Sequence, residues 1–455
     1  MYEKNHRSVS RRQFLMGMGS ASLAVALAAC AAPAAAPSGE SEGAGSADTA
    51  AVNLRFISNH GEADQPLFEK VIENFHTAHP DIHIEYLDIA GNEFYNSINT
   101  QGVGGELPDV WYTRTFDVPV YASKGWTTNL QPLIERDAEE VNVDDFWPAE
   151  VAQMQWQGDL YALPYDFSNV GIYFNKQMFD DAGVAYPTDD WQWADLLNLA
   201  LNFVVQDGSE FTQWGLQLFN WNWVWHGMIM GWGGQIFGEG FKEILVNSPS
   251  TVDMFEWFTA ARGQGMYPAA GAAPAGVDPF AAGVVAMAFQ GSWATNQMRA
   301  NIGDKFDFDC VALPKSPTGA SCINGAGGAW GIASSTANPE AAWTFNKFLT
   351  STESTNILIS EPLRSIPGRQ SSVAKWNEVA ATGDLPPANV EIFPQQMESG
   401  QAAPYPPYWQ DYGNAWNNIV VPYIDGTIES DAGQMLTDFS TEVERIIEQN
   451  MSSLS

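Results

Sequence analysis

The sequence predicts a mixed α/β fold organised around more than one hydrophobic core. A strand, helix, strand succession opens the body of the chain, and two strongly amphipathic helices are marked far downstream. The body itself, roughly 400 of the 455 residues, is longer than a single core usually organises.

In order, Asn53 to Ser58 (NLRFIS) reads as a short apolar strand followed by the polar turn NHGEAD. Leu67, Phe68, Val71, Ile72 and Phe75 then recur at helical spacing up to a stop at Pro80. In DIHIEYLDI, Ile82, Ile84 and Tyr86 alternate as in a strand. This is a βαβ unit, whose parallel strands bring their carboxyl ends to one sheet edge, where ligands bind. Asn338-Pro339-Glu340 supplies a cap, a first-turn proline and a dipole-matched acid for a helix carrying Ala341, Ala342, Phe345, Phe348 and Leu349. Met435, Leu436, Phe439, Val443, Ile446 and Ile447 mark another helix. There is no internal repeat.

Ahead of this body, residues 10–15 read SRRQFL and lead through an apolar run from Phe14 to Ala29 into Leu27-Ala28-Ala29-Cys30. The layout is that of an export signal of twin-arginine form, residues 1–30. The run falls short of the ~20 residues that span a bilayer. The L-A-A-C pattern resembles a lipoprotein processing box, which implies lipidation of Cys30. Residues 31–51 are Ala, Pro, Gly, Ser and acids, a composition expected to form a disordered tether. The expected location is the outer face of the cytoplasmic membrane or the periplasm.

Charge narrows the partners. There are 54 acidic against 20 basic residues, and Lys4, Arg7, Arg11 and Arg12 leave with the signal. Such a surface repels nucleic acid and anionic lipid. Cys310 and Cys322 flank VALPKSPTGAS, which reads as a hairpin connection. On facing strands outside the cell they would form a disulfide; two buried thiols are the alternative.

Six stretches in order resemble the landmarks of family 1 extracellular solute-binding proteins: LPDVWYTRTFDV, LYALPYDFSNVGIYFNKQMFDDAGV, DDWQWADLLNLALNF, GVVAMAFQGSWATNQM, VALPKSPTGASCINGAGGAWGIAS and NPEAAWTFNKFLTS. These are the carbohydrate-capturing subunits of ABC importers, related to maltose-binding protein. The resemblance implies a type II periplasmic-binding-protein fold: two discontinuous α/β lobes, 52–165 plus 328–364 and 166–325 plus 368–455, joined by a multi-segment hinge. Crossings are expected near Asp166–Asn169, Asn324–Gly328 and Arg364–Gly368. It also implies a monomer that delivers a mono- or oligosaccharide to a membrane permease, without a cofactor, metal or catalytic group.

A pyranose has an apolar face and a rim of hydroxyls, so its site needs flat rings to stack on and planar polar groups to bond paired hydroxyls. The resemblance carries these roles onto Asn59, His60 and Glu62 in the first strand-to-helix turn, onto Trp111, Tyr112 and Arg114 after PDV, and onto Asp166 at the hinge. It adds Gly328, Trp330 and Arg364 near the other crossings, Trp293 in GSW, and Tyr408 or Trp409 in PYPPYW. The stretch FNWNWVWHGMIMGWGG holds four indoles. On a helix, Trp221, Trp225, Met228 and Trp232 fall at i, i+4, i+7 and i+11, the mark of a buried stripe. Most of it is expected to pack, with Trp221 or Trp223 exposed as a platform at the cleft mouth.

Other chemistries fit less well. His76, His79 and His83 span a helix end, a proline and a strand, so their rings need not converge as metal ligands, and solvated residues at a helix C-terminus are the better reading. GAGGAW lacks the Lys and Ser/Thr of a phosphate loop, and no G-x-S-x-G or H-E-x-x-H pattern appears. A secreted glycoside hydrolase would have to use Asp166, Glu62 or Asp117 as its paired carboxylates. A phosphodiester binder would draw on Arg114, Arg364 and Arg369, and a polyamine binder is a further alternative.

Overall fold

The computed structural model describes residues 51–455 except 63, 274, 277, 360–364, 381–384, 404, 452, 453 and 455. Cys30, the export signal and almost all of the tether lie outside the described residues, as does Arg364.

Two sheets organise the chain. The strands in order are β1 Val52–Ser58, β2 Ile82–Asp88, β3 Val110–Arg114, β4 Gln155–Trp156, β5 Asp159–Leu160, β6 Leu163–Ser168, β7 Val170–Asn175, β8 Val205–Asp207, β9 Glu210–Gln217, β10 Val285–Gly291, β11 Phe308–Val311, β12 Ala326–Ile332 and β13 Ile366–Pro367. The six-stranded sheet has the order β13-β6-β12-β3-β1-β2 and the five-stranded sheet β11-β7-β10-β9-β8, while β4 and β5 pair alone. The expected βαβ unit is present: β1 runs parallel to β2 and β3, and the helix Gln65–Ala78 buries Phe68, Val71, Ile72 and Phe75 against them.

The chain leaves the six-stranded sheet between Ser168 and Val170 and returns between Val311 and Ala326. Buried asparagines clamp both passages. Asn169 Nδ2 donates to the Phe393 carbonyl at 2.7 Å. Asn324 Nδ2 donates to the Trp223 carbonyl at 2.8 Å, and its Oδ1 accepts from the Ala403 amide at 2.9 Å. A buried amide whose donor and acceptor are both used fixes backbone position in a way that an apolar side chain cannot.

The downstream helices form at Pro339–Leu349 and Ala432–Asn450. The second buries all six expected apolar residues and is capped by Asp431, whose carboxylate accepts from the Gln434 amide at 3.1 Å. Asn338 does not act as the expected side-chain cap. Its own amide is instead bonded to Thr336 Oγ1 at 3.1 Å.

The hairpin reading around the cysteines is overturned. Cys310 ends up on β11 in one sheet, while the segment after it runs to β12 in the other, so the Pro-Gly-Ser stretch is a connection between sheets rather than a turn between paired strands. Both cysteines are buried free thiols. Cys310 Sγ bonds the Asn389 carbonyl at 3.2 Å. Cys322 lies against Gly231, where a Cβ would stand 2.6 Å from its sulfur. Burial pushes the Cys322 thiol up to about 12.

Candidate functional site

A cleft of about 970 Å³ is lined from both sheets' surroundings. On one side stand Tyr112 and Arg114 at the end of β3, Phe116 just after it, and Tyr95 from the helix Asn92–Gly104. On the other stand Trp221, Trp223 and Trp293, with Trp409 at the start of the helix Trp409–Ala415. Asp166, Ser168 and Gly327 line the floor between them.

The aromatic wall follows from where its helix begins. Trp221 is the N-cap of the helix Asn222–Gly231, so it precedes the helical turn and escapes the stripe on which sequence periodicity placed it. It is 52% exposed, whereas Trp223 is 5% and Trp225 and Met228 are 0% exposed. Trp225 packs face to face on Phe255, centroids 5.3 Å apart. Trp221 lies parallel to Trp293, at 6.0 Å and 4° between planes, and Trp223 abuts Trp293 at 5.7 Å. Trp293 folds back over Gly291, where any Cβ would overlap its ring. The indoles therefore divide between core packing and a flat platform in the cleft.

Across the cleft, Arg114 is held by three groups. Its Nε donates to Asp117 Oδ2 at 2.6 Å, and its guanidinium carbon lies 3.6 Å from the Tyr95 ring centroid and 4.4 Å from that of Phe116. Burial works against its charge, but buried Asp117 together with Tyr95 and Tyr121 outweighs that penalty and holds Arg114 above its ordinary basicity. Tyr95 is itself positioned, because Asn59 Nδ2 donates to its hydroxyl at 2.9 Å.

The floor depends on close backbone approach. Asp166 Oδ1 accepts from the Gly328 amide at 2.7 Å. A Cβ on Gly328 would overlap the Tyr112 ring and stand 2.7 Å from Asp166 Oδ1, so only glycine fits. Beneath Gly327 lies Glu150, fully buried, with neither carboxyl oxygen hydrogen-bonded among the described residues. Burial first, and the Asp166 charge second, hold this carboxyl well above the usual carboxylate range.

Residues 59–356 match the profile of the bacterial extracellular solute-binding proteins. The chain belongs to this family. It is 20% identical over 411 residues to a binding protein of Brucella abortus (strain 2308), covering 89% of this chain and 95% of that one. An ABC substrate-binding protein of Listeria monocytogenes, solved in complex with cycloalternan, is similar in fold at TM-score 0.74 and 22% identity, covering 88% of this chain and 99% of that one. A Streptomyces glaucescens receptor, solved unliganded and with acarbose, gives TM-score 0.70 at 20% identity, covering 88% and 99%. The two-lobe type II fold of these proteins is the fold of this solute-binding protein.

Of the residues singled out in the sequence, the cleft of this solute-binding protein brings together Tyr112, Arg114, Asp166, Trp221, Trp223, Trp293 and Trp409. Others move out of the lining. Trp111 is 0% exposed: on β3 it points opposite to Tyr112 and Arg114 and packs edge to face on Tyr121 at 6.2 Å. Trp330 is likewise 0% exposed, because it pairs with Tyr112 one step back from the floor and is enclosed by Phe56 at 5.2 Å and Tyr165 at 4.9 Å. The His60 ring packs among Phe68, Tyr112, Tyr165 and Trp330, while its amide donates to Asp88 Oδ1 at 2.8 Å. Glu62 is exposed and outside the lining, and Tyr408 is buried with its hydroxyl donating to the Phe241 carbonyl at 2.7 Å. Asn59 and Gly328 sit behind the lining and act through Tyr95 and Asp166.

Sequence reasoning missed Tyr95, Phe116, Asn222 and a set of amides: Asn92, Asn96, Asn99, Gln410, Asn414 and Asn417. The available signal was their spacing at i, i+4 and i+7 on two helices.

Proposed function

We propose that this solute-binding protein captures a neutral carbohydrate between its lobes and delivers it to the membrane permease of an ABC importer. The parallel Trp221–Trp293 platform facing Arg114 across the cleft, with Asp166 on the floor, carries this reading, because stacking faces opposed to planar polar groups match the two chemistries of a pyranose. The solved proteins bound to cycloalternan and acarbose support the same ligand class.

The electrostatics favour an uncharged cargo. Among the described residues Asp166 is the only carboxylate in the lining and Arg114 the only cation, and Arg114 already neutralises Asp117. Paired-carboxylate catalysis is disfavoured on the same grounds: Asp117 is buried against Arg114, and Glu62 lies outside the cleft. A phosphodiester site is disfavoured because Arg369, 4% exposed, is committed to Asp145 at 3.1 Å and to the Val141 carbonyl at 2.9 Å. The cargo leaves chemically unchanged, and no cofactor takes part.

The two lobes are proposed to follow the resemblance with their bounds moved to the sheet ends, because β6 holds Asp166 to Ser168, β12 holds Ala326 and Gly327, and β13 holds Ile366 and Pro367 in the six-stranded sheet; the crossings then fall at Asn169, in the 312–325 segment and after Pro367. Open and closed arrangements coexist, and a sugar touching both lobes favours closure through its differential contacts. The chain works as a monomer, exported by its twin-arginine signal and tethered through lipidated Cys30. A thermal-shift screen with mono-, di- and oligosaccharides tests the assignment. A saturable rise in melting temperature with the sugar returned intact is expected, and release of shorter sugars overturns it in favour of a hydrolase.

A further inference from the structure

The cleft does not end at the tryptophans. The helix Asn92–Gly104 lines it with Asn92, Asn96 and Asn99, together with Tyr95, on one face. On the opposite side Gln410, Gly413, Asn414 and Asn417 line it from one face of the helical run that starts at Trp409. Asn222, beside the platform tryptophans, borders the second row: its Nδ2 stands 3.5 Å from where a Cβ on Gly413 would be.

Two features mark these faces as more than ordinary polar surface. First, asparagine is a poor helix former, because its side chain competes for the backbone, yet here it recurs inside helices at a spacing that keeps one face amide-rich. Asn99 spends its Nδ2 on the Tyr95 carbonyl at 2.9 Å. Asn92, Asn96, Gln410, Asn414 and Asn417 have no side-chain hydrogen bond among the described residues, which leaves both donor and acceptor of each available. Second, the run changes to a π-helix at Trp416–Val420, just where Asn417 meets the cleft. Pro422 lacks the amide that would continue the regular ladder, and such π turns concentrate at functional sites. The neighbouring acid Asp411 lines an adjoining groove with Asp438, Glu442 and Arg445, and this groove meets the amide row at Asn414.

We propose that these two amide-bearing helix faces form a second bank of ligand contacts beyond the indole platform, and that the cargo is a neutral oligosaccharide of several linked rings rather than a single sugar. This rests on the carbohydrate reading and adds its length. Aromatic stacking holds one part of the glycan, and the amides bond paired hydroxyls of the remainder.

The test uses an array of neutral mono- to hexasaccharides of varied linkage, then titration calorimetry along the ladder of the best linkage. Wild type, Asn414→Ala/Asn417→Ala and Trp221→Ala are compared, with melting temperatures confirming that each variant is folded. Affinity should rise along the ladder beyond the disaccharide. The double amide variant should weaken the longest member by about tenfold while changing the shortest binder less than about twofold, and Trp221→Ala should weaken all members. A monosaccharide that binds as tightly as its oligomers, or a double variant that weakens short and long members alike, overturns the proposal and leaves the carbohydrate reading intact. Failure of every member to bind overturns both.

Discussion

Trp221 and Trp293 present parallel indoles 6.0 Å apart, although 72 positions separate them in the chain. One caps a helix and the other follows β10, and Gly291 lets the second ring lie flat. Trp221 is exposed and does not hold the core together. Trp221→Ala is therefore expected to lower sugar affinity about tenfold, corresponding to a contact worth about 1–2 kcal/mol, while leaving the melting temperature nearly unchanged. Trp111→Ala should do the opposite, costing about 3–5 kcal/mol of stability by opening a cavity. Calorimetric titration beside urea denaturation separates the two roles.

The hinge clamps give a second expectation. Asn324 bonds the Trp223 carbonyl, the Ala403 amide and, at 3.3 Å, the Tyr405 hydroxyl, all in buried surroundings. Asn324→Leu leaves the buried Ala403 amide without its acceptor and removes a donor from the Trp223 carbonyl, and is expected to cost about 1–3 kcal/mol. Equilibrium unfolding in urea measures this, and an unchanged midpoint would show that the crossing is not fixed by this amide.

The cysteines give a third. With Cys310 and Cys322 both buried and their thiols pushed upward by burial, neither reacts with iodoacetamide in the native protein at pH 8. Both react after denaturation without reductant, as mass spectrometry will show. A loss of two hydrogens relative to the reduced mass would indicate a disulfide instead.

A fourth concerns pH. His226 is fully buried, its Nε2 is 2.8 Å from the Tyr412 hydroxyl, and burial lowers its pKa from 6.5 to about 3. Because the folded state resists the proton that the unfolded state accepts, stability from neutral His226 is complete above about pH 6.5 and declines as pH falls towards 3. At pH 5 the loss relative to pH 7 is up to about 2 kcal/mol. His226→Gln should show a correspondingly flatter decline across that window. Parallel curves for the two proteins would contradict the assignment.

Much of this was legible in the sequence because periodicity encodes burial. The βαβ unit and the helix Ala432–Asn450 appear with their expected apolar faces buried. Trp111 was misplaced because a motif gives a neighbourhood, whereas the two-residue strand repeat turns it away from the face that carries Tyr112. Trp330 shares that face and is covered instead by Phe56, Tyr165 and Tyr112, contacts between distant segments that a motif does not encode. Trp221 falls on the core stripe by spacing, and the expectation that Trp221 or Trp223 stands exposed could not choose between them, because helical spacing does not reveal that the helix starts one residue later and leaves Trp221 outside it. The hairpin expected around Cys310 failed because local turn residues do not say whether the next strand joins the same sheet. The amide rows were overlooked for a simpler reason: exposed asparagines carry no burial signal until two helices are seen to face one cavity.

The most direct measurement is a crystal structure with the tightest-binding saccharide. The expected density places a sugar ring face against the Trp221–Trp293 platform, with its hydroxyls within hydrogen-bond distance of Asp166 and Arg114. A saccharide bound elsewhere on the protein, with this cleft left to water or closed by side chains, would contradict the assignment.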